Sequence, residues 1–155
     1  LIDRFIKSLN ISKEDGLLLV GHGGLGSGNS SYGNLQFKLI RDGLTNVRIA
    51  VLENAPYVAD VAMPWEWIDG KRPNTIYVHP LLLVLGDHAQ NDLFGDEEDS
   101  VINELADYGY EVKPIHSALG EYEAIQDIFR QHVQDCIDDL YGKRSPHRPT
   151  IPNIK

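Results

Sequence analysis

The chain has one cysteine, few basic residues and no long hydrophobic run, and each shortage excludes a class of protein. One cysteine, Cys136, excludes an intramolecular disulfide, and we expect it to be a buried thiol on a helix. Lysine and arginine number 14 against 23 acids, so the net charge of −9 argues against nucleic acid, which needs a basic face. No apolar run approaches the roughly 18 residues that cross a membrane, so no membrane association is expected. No secretory signal is visible, and we expect a cytoplasmic location, with the periplasm left open.

The 155 residues have an ordinary globular composition and suffice for one domain with a real core. Short apolar runs alternate with segments of helical spacing. Strands are predicted over 16–20, 47–52, 75–85 and 110–115, and helices over 1–9, 32–42, 57–68, 100–108 and 121–140. This alternation predicts an α/β fold, a four-stranded parallel sheet with helices on both faces. We expect one domain over 1–141 and an extended or disordered tail over 142–155.

Two prolines and one helix carry further expectations. Pro64 should end or kink the helix predicted over 57–68. Pro80 interrupts the third strand, which suggests a bulge, a bend or an unpaired position. The last helix carries an apolar stripe of the kind that faces a core. Its members are Ile125, Ile128, Phe129, Val133, Cys136, Ile137 and Leu140.

Polar residues follow three of the predicted strands. His22 follows GLLLVG, Glu53 ends VRIAVLE, and Gly86-Asp87-His88 closes the third apolar run. In a parallel sheet the carboxyl ends of the strands lie at one edge, where α/β proteins bind ligands. Imidazole and carboxylate suit divalent ions such as Co²⁺, Ni²⁺, Fe²⁺ and Zn²⁺, and three protein ligands leave coordination positions open. One interpretation of His22, Glu53 and His88 is therefore a metal site.

A second interpretation is a dinucleotide site. Residues 21–26 read GHGGLG, a GxGxxG motif after a strand, and Glu53 lies near the place of a ribose-binding acid. The loop continues as SGNSS instead of entering a helix at once, and this interpretation leaves residues 86–88 unexplained. We therefore expect no nicotinamide, although an oxidoreductase domain is kept as the less favoured alternative.

The other histidines and two further clusters have ordinary explanations. We expect His79 to be a hydrogen-bonded core residue, His116 a solvated loop residue and His132 a surface residue. The acidic run over 92–99 is either a cation-attracting rim or a solvated helix start. The aromatic residues Trp65, Trp67 and Tyr57 either pack on the sheet or form a wall for a flat ligand.

Longer motifs resemble one family. GHGG with Asn29, Tyr32 and Gln36, then VLENAP, HPLLLVLGDHAQNDLFGDEEDS and ALGEYEAIQDIF, are similar to the carboxyl-terminal half of the anaerobic sirohydrochlorin cobaltochelatases. These are class II chelatases, which need no ATP, and the match runs from about residue 16 to residue 140. The resemblance implies a chelatase-like α/β domain that acts in cobalamin biosynthesis.

The resemblance also implies a site. The family has two similar domains with the tetrapyrrole in the cleft between them, and cobalt is held at positions that match His22, Glu53 and His88. This chain departs from the family pattern GHGTxH, because Gly24 and Gly26 stand at the Thr and His positions. An amino-terminal domain would be missing, so we expect either a fragment or a homodimer that completes the cleft.

The implied reaction exchanges Co²⁺ for two pyrrole protons of sirohydrochlorin, with Ni²⁺, Fe²⁺ or Zn²⁺ as other metals. His22 and His88 would bind the metal, Glu53 would be the third ligand or a proton acceptor, and His22 would also accept a pyrrole proton. The substrate carboxylates would meet donors at Gly23, Gly24, Ser27 and Asn29, and Asp87 would orient His88 or cap the next turn. A tetrapyrrole- or metal-binding module without turnover is the alternative.

Overall fold

A parallel sheet with its helices organises residues 2–143, the part of the chain that the computed structural model describes. The strands are β1 (Gly16–Gly23), β2 (Val47–Glu53), β3 (Thr75–Pro80) and β4 (Glu111–Pro114). The α-helices are α1 (Ile2–Ser8), α2 (Ser30–Arg41), α3 (Val58–Ala62), α4 (Asp87–Phe94), α5 (Val101–Asp107) and α6 (Glu123–Leu140). Short 3₁₀ helices span Gly26–Asn29, Trp65–Trp67 and Leu119–Glu121.

All four strands are parallel and lie in the order β2-β1-β3-β4, which confirms the predicted fold class. The apolar runs suit this sheet because parallel strands are covered on both faces. In register, Leu19 of β1 lies between Ile49 of β2 and His79 of β3. The strand order reverses at β1, so the crevice between the loops after β1 and β3 is the place where this architecture binds ligands.

Two apolar layers confirm that helices cover both faces. Alternate residues of each strand point to opposite faces, so neighbours such as Leu18 and Leu19 belong to different layers. One layer packs the sheet against α3, α4 and α5, and includes Leu18, Val20, Ala50, Val61, Trp65, Ile76, Val78, Leu93 and Leu105. The other packs it against α1 and α2, and includes Phe5, Ile6, Leu17, Leu19, Leu39, Val47 and Ile49.

At the open edge of β2, the side chain of Gln36 makes hydrogen bonds of the kind that a neighbouring strand would make. The buried amide of Gln36 donates from Nε2 to the Val47 carbonyl (3.0 Å) and accepts from the Ile49 N–H through Oε1 (2.8 Å). Buried polar groups need such partners, because an unpaired one loses its hydration without compensation. The two contacts fix α2, and with it the loop before α2, against β2.

The buried guanidinium of Arg48 holds the segment after α3. It donates to the carbonyls of Thr45, Val47 and Trp65, and it lies 4.8 Å from the centre of the Trp65 ring and 5.5 Å from that of Trp67. Burial lowers the pKa of Arg48 to about 10. Trp65 is therefore a packing residue, while Trp67 remains exposed. Pro64 ends α3 as predicted, since only a 3₁₀ turn follows it.

The third strand is shorter than predicted, and a helix was missed after it. We expected a strand to Leu85, but β3 ends at Pro80, where the Leu81 N–H makes a last bond to the Val20 carbonyl (2.7 Å). Leu83 and Val84 are exposed, so the apolar run leaves the sheet. Residues 87 and 88 consequently start α4 instead of ending a strand.

The apolar stripe of α6 is mostly exposed, and the expectation of a buried Cys136 is wrong. Ile125 is buried near the helix start and Asp135 further along, whereas Phe129, Val133, Ile137 and Leu140 are exposed, because the helix turns a different face toward the protein. The predicted tail lies outside the described residues except for Gly142 and Lys143. None of the helices in residues 2–143 has the length and composition of a membrane-spanning segment.

Candidate functional site

Adjacent strands place His22 beside Glu53 at the carboxyl edge of the sheet. Gly23 of β1 pairs in register with Glu53 of β2, so β2 ends level with the residue that follows His22. His22 Nδ1 lies 3.9 Å from Glu53 Oε2, and the side chains are 59% and 58% exposed. Two ligand atoms bound to one ion at about 2.1 Å each cannot be more than about 4.2 Å apart. The pair is thus close enough to share one divalent ion, with open solvent for further ligands.

Glycine is required where the two strands end. Gly23 has φ +82°, and a Cβ there would lie 2.1 Å from the Glu53 carbonyl oxygen. A side chain at this position would force β1 and β2 apart, since real Cβ atoms do not approach that closely. Gly21 has the same role toward α2, because its Cβ would lie 2.4 Å from the ring of Tyr32. The predicted substrate-binding residue Gly23 therefore also has a steric role.

Two asparagines tie the loop after β1 to the end of β2. Asn29 Nδ2 donates to the carbonyls of Glu53 (3.2 Å) and Ala55 (3.0 Å). Asn54 Nδ2 donates in the opposite direction, to the Gly24 carbonyl (2.9 Å). The amide of Asn29, which we predicted to bind substrate, is thus turned toward backbone. Sequence reasoning missed Asn54, whose φ of 66° is a conformation that asparagine adopts more readily than most residues.

The rest of the loop after β1 is exposed and carries few internal contacts. Ser27 is exposed, and its carbonyl accepts a hydrogen bond from Ser30 Oγ (2.7 Å). Gly24 and Gly26 border open space. Gly26 starts a 3₁₀ helix, and α2 begins only at Ser30, so the third glycine of the GxGxxG motif does not lie at the start of an α-helix. Dinucleotide folds use that start to bind pyrophosphate.

His88 lies on α4 and does not join the His22–Glu53 pair. Asp87 and His88 are the first two residues of α4, and both are exposed. In the described part of the chain, no three or more His, Cys, Asp and Glu side chains are grouped closely enough to hold a metal ion. The structure therefore brings together two of the three predicted ligands. The third lies on the helix that follows β3, the neighbour of β1.

An apolar groove of about 770 Å³ lies on the β3–β4 side of the same edge. Leu83 and Val84 line it from the segment after β3, and Phe129 and Arg130 line it from α6. His116, exposed as predicted, also lines it and contacts the ring of Phe94 (centroids 4.5 Å apart). Arg130 is paired with Asp127 (2.5 Å) and Glu121 also lines the groove, so the surface of the groove is apolar with charges of both signs at the margin.

His79, in contrast, is buried and forms a polar cluster with the half-buried Tyr122 and Ser117. His79 Nδ1 lies 2.7 Å from the Pro80 carbonyl, and its Nε2 lies 2.9 Å from the Tyr122 hydroxyl. The hydroxyl is 3.1 Å from Ser117 Oγ, and Phe5 packs edge-on against both rings. Burial lowers the pKa of His79, because it disfavours the charged imidazolium. The prediction of a hydrogen-bonded core histidine is confirmed.

Comparison with known proteins places these features in a family. The family model described as cobalt chelatase (CbiK) matches residues 1–138. The sirohydrochlorin cobaltochelatase of Salmonella typhimurium strain LT2 is 26% identical over 129 residues, 83% of this chain and 47% of that protein. The chain thus spans about half the length of this curated relative. The crystal structure described as a cobalamin (vitamin B12) biosynthesis CbiX protein from Marinobacter aquaeolei VT8 shares the fold, with a TM-score of 0.58 and 18% identity over 82% of this chain and 98% of that one.

Proposed function

Because this chain belongs to the cobalt chelatase (CbiK) family, we propose that it inserts Co²⁺ into sirohydrochlorin without ATP. The name of the curated relative supports this substrate. The observation that carries the proposal is the exposed His22–Glu53 pair, whose atoms lie 3.9 Å apart at the edge of the sheet where α/β proteins bind ligands. A metal substrate must be held loosely, and an exposed pair with open coordination positions meets that need.

The reaction releases two pyrrole protons for each metal ion that enters the ring. His22 binds Co²⁺ through an imidazole nitrogen and, once the metal has passed to the ring, accepts a pyrrole proton, since imidazole exchanges protons near neutral pH. Glu53 is the third ligand or the acceptor of the second proton, which otherwise passes to solvent at this exposed edge. Nickel, iron or zinc would meet the same ligands, because imidazole and carboxylate suit all of these ions.

His88 completes the ligand set from α4. The support for this role is topological: α4 follows β3, and the loops after β1 and β3 border the crevice at which the strand order reverses. Metal binding then draws His88 toward the pair. Asp87, its neighbour on the first turn of α4, orients the His88 ring or stabilises the helix start.

The tetrapyrrole rests its apolar face on the groove lined by Leu83, Val84 and Phe129. Its carboxylates meet the backbone amides of Gly23 and Gly24, the Ser27 hydroxyl and, at the far side, Arg130. A net charge of −9 opposes an acidic substrate, so these local donors must outweigh the overall field. Since the chain spans about half of its curated relative, a second copy or an amino-terminal domain closes the cleft.

A binding module without turnover is the second candidate, and one observation favours it. Within residues 2–143 the structure brings together two of the three candidate ligands, His22 and Glu53, and two ligands can capture an ion without positioning it for transfer. The oxidoreductase alternative is disfavoured by the position of Gly26, which does not start an α-helix.

Incubation of the purified chain with sirohydrochlorin and Co²⁺, without ATP, tests the proposal through the absorption spectrum of the product. We expect insertion well above the uncatalysed rate, and its loss in His22→Ala and His88→Ala. His132→Ala is the matched control, because this exposed histidine lies on α6 and should change nothing. Cobalt binding without insertion would favour the binding module, and a background rate with no cobalt binding would reject both.

A further inference from the structure

We propose that Asn29 and Asn54 are positioning residues that hold His22 and Glu53 at metal-binding distance. The inference rests on the proposed function, and it deepens it by naming what fixes the geometry of the site. The two side chains run in opposite directions across the ends of β1 and β2, and together they form what we call the asparagine clasp.

Asn29 fixes the backbone that carries Glu53. Its Nδ2 group bridges the carbonyls of Glu53 and Ala55, which belong to the last residue of β2 and to the turn beyond it. With two carbonyl oxygens at 3.2 and 3.0 Å, the nitrogen must face them, because the amide oxygen would be repelled. The backbone of the candidate ligand Glu53 is therefore held by a hydrogen bond from the loop after β1.

Asn54 completes the clasp in the other direction. Its left-handed φ of 66° turns the side chain back toward β1, where Nδ2 donates to the Gly24 carbonyl, two residues after His22. The Gly23 N–H donates to the Tyr32 hydroxyl (3.4 Å), which holds the same segment from α2. Each candidate ligand is thus adjacent to a backbone contact made by the opposite loop.

Positioning matters here because the pairing of β1 with β2 ends at the site. Gly23 and Glu53 are the last register pair of β1 and β2, so no further strand pairing holds the residues beyond them. The two ligand side chains are more than half exposed and are not packed in place. A separation of 3.9 Å lies just inside the limit of about 4.2 Å for a shared ion, so a small opening of the strand ends would separate the ligands.

The chain offers a matched control at the amino-terminal ends of the same two strands, β1 and β2. Asn46 Nδ2 bridges the carbonyls of Ser12 (3.3 Å) and Asp15 (3.0 Å), as Asn29 bridges its two carbonyls. Asn29→Ala and Asn46→Ala remove the same kind of contact, but only the first lies at the His22–Glu53 pair. Asn54→Gly removes the other half of the clasp and keeps the left-handed backbone, and Asn10→Gly is its control at φ 51°.

The test has two readouts on the full chain: Co²⁺ titration by calorimetry, and crystal structures of the metal-free variants. We expect Asn29→Ala and Asn54→Gly to bind Co²⁺ about 10- to 100-fold more weakly, the usual effect of losing a group that orients a ligand. We expect Asn46→Ala and Asn10→Gly to keep the affinity of the unmodified chain. In the metal-free crystals, Nδ1 of His22 and Oε2 of Glu53 should move apart only in the clasp variants.

Equal affinities in Asn29→Ala and Asn46→Ala, or an unchanged separation of the pair in the clasp variants, would overturn the positioning role. If the unmodified chain binds no Co²⁺, the proposed function fails separately. The metal-free crystals then decide the positioning role alone: a pair that stays at its original distance rejects it, and a pair that separates only in the clasp variants supports it.

Discussion

Two histidines on neighbouring strands differ in burial and in hydrogen bonding. His79 lies on β3, is fully buried, and has hydrogen-bond partners for both ring nitrogens. His22 lies at the end of β1, more than half exposed, with Nδ1 3.9 Å from the Glu53 carboxylate and 3.3 Å from the Gly23 carbonyl. Within residues 2–143 its Nε2 has no hydrogen-bond partner of the kind that Tyr122 gives His79. A ring nitrogen binds a metal through a lone pair, so a histidine whose nitrogens are both engaged has nothing to offer a metal ion. The difference is consistent with the proposed division, in which the metal chemistry takes place at the strand end and the cluster around His79 stabilises the fold.

The hydrogen bonds of His79 also fix its tautomer. The Pro80 carbonyl can only accept, so Nδ1 carries the proton and donates, and Nε2 accepts from the Tyr122 hydroxyl. That hydroxyl can then accept from Ser117. The cluster joins the end of β3 to the start of α6, while the asparagine clasp joins the ends of β1 and β2.

The largest expected effect is that of His79→Ala on stability. It leaves the Tyr122 hydroxyl and the Pro80 carbonyl without their partner and opens a cavity beside Phe5, so we expect a loss of about 2–4 kcal/mol. His22→Ala should stay within about 0.5 kcal/mol, because its side chain is exposed. Urea unfolding of the two variants measures the contrast. Equal losses in the free energy of unfolding would contradict the view that His79 stabilises the fold and His22 does not.

A pair of glycine variants sharpens the comparison at the strand end. Gly23→Ala places a Cβ 2.1 Å from the Glu53 carbonyl oxygen at a positive φ, and we expect it to cost about 1–3 kcal/mol and to weaken Co²⁺ binding. Gly24→Ala, whose Cβ would meet open space, is the control and should be nearly neutral in stability. Thermal unfolding and Co²⁺ titration check both variants. Tolerance of Gly23→Ala in both measurements would mean that β1 and β2 need not meet so closely.

The lowered pKa of His79 predicts a loss of stability in mild acid. The unfolded chain takes up a proton near pH 6.5, at about the ordinary pKa of histidine, whereas the folded chain does so only at lower pH. Between these two values the unfolded state binds more protons, so the free energy of unfolding falls as the pH falls. The Pro80 carbonyl and Glu121 act against the shift but do not cancel it.

His79→Gln is the control for this pH dependence, because glutamine does not titrate. We expect the free energy of unfolding of the variant to change less than that of the unmodified chain between about pH 7.5 and about pH 5. Denaturant unfolding across that range makes the measurement. Parallel curves for the two proteins would assign the acid sensitivity to other groups.

The sequence predicted the sheet better than it predicted the segments around it. Buried parallel strands read as continuous apolar runs, so the strand starts and the placement of His22 and Glu53 at one edge followed from pattern alone. The run LLLVL after Pro80 has the same composition but lies outside the sheet, because periodicity does not distinguish a buried strand from an exposed apolar segment. The stripe of α6 misled for a similar reason, since amphipathic spacing does not say which face of a helix is covered, and here the covered face includes Asp135.

The asparagine clasp could not be predicted from the sequence, for another reason. Asn29 and the carbonyls that it meets are 24 and 26 residues apart, and their contact depends on the path of a glycine-rich loop. Local propensity does not fix such a path, because glycine allows many conformations. The cluster around His79 was predicted only in outline, as burial with a hydrogen bond, and its partner Tyr122 came from the structure.

The smallest expected effect compares two serines, one in each region. Ser117→Ala removes the outer member of the His79 cluster, but Tyr122 keeps its bond to His79, so we expect a loss of only about 0.5–1.5 kcal/mol. Ser27→Ala, at the exposed loop of the site, should leave stability within about 0.5 kcal/mol and should weaken tetrapyrrole binding if its hydroxyl meets a substrate carboxylate. Urea unfolding and spectroscopic titration with sirohydrochlorin measure the two effects. If only Ser117→Ala loses stability and only Ser27→Ala loses binding, the His79 cluster stabilises the fold and the loop after β1 binds the substrate. A binding loss in Ser117→Ala and a stability loss in Ser27→Ala would contradict this.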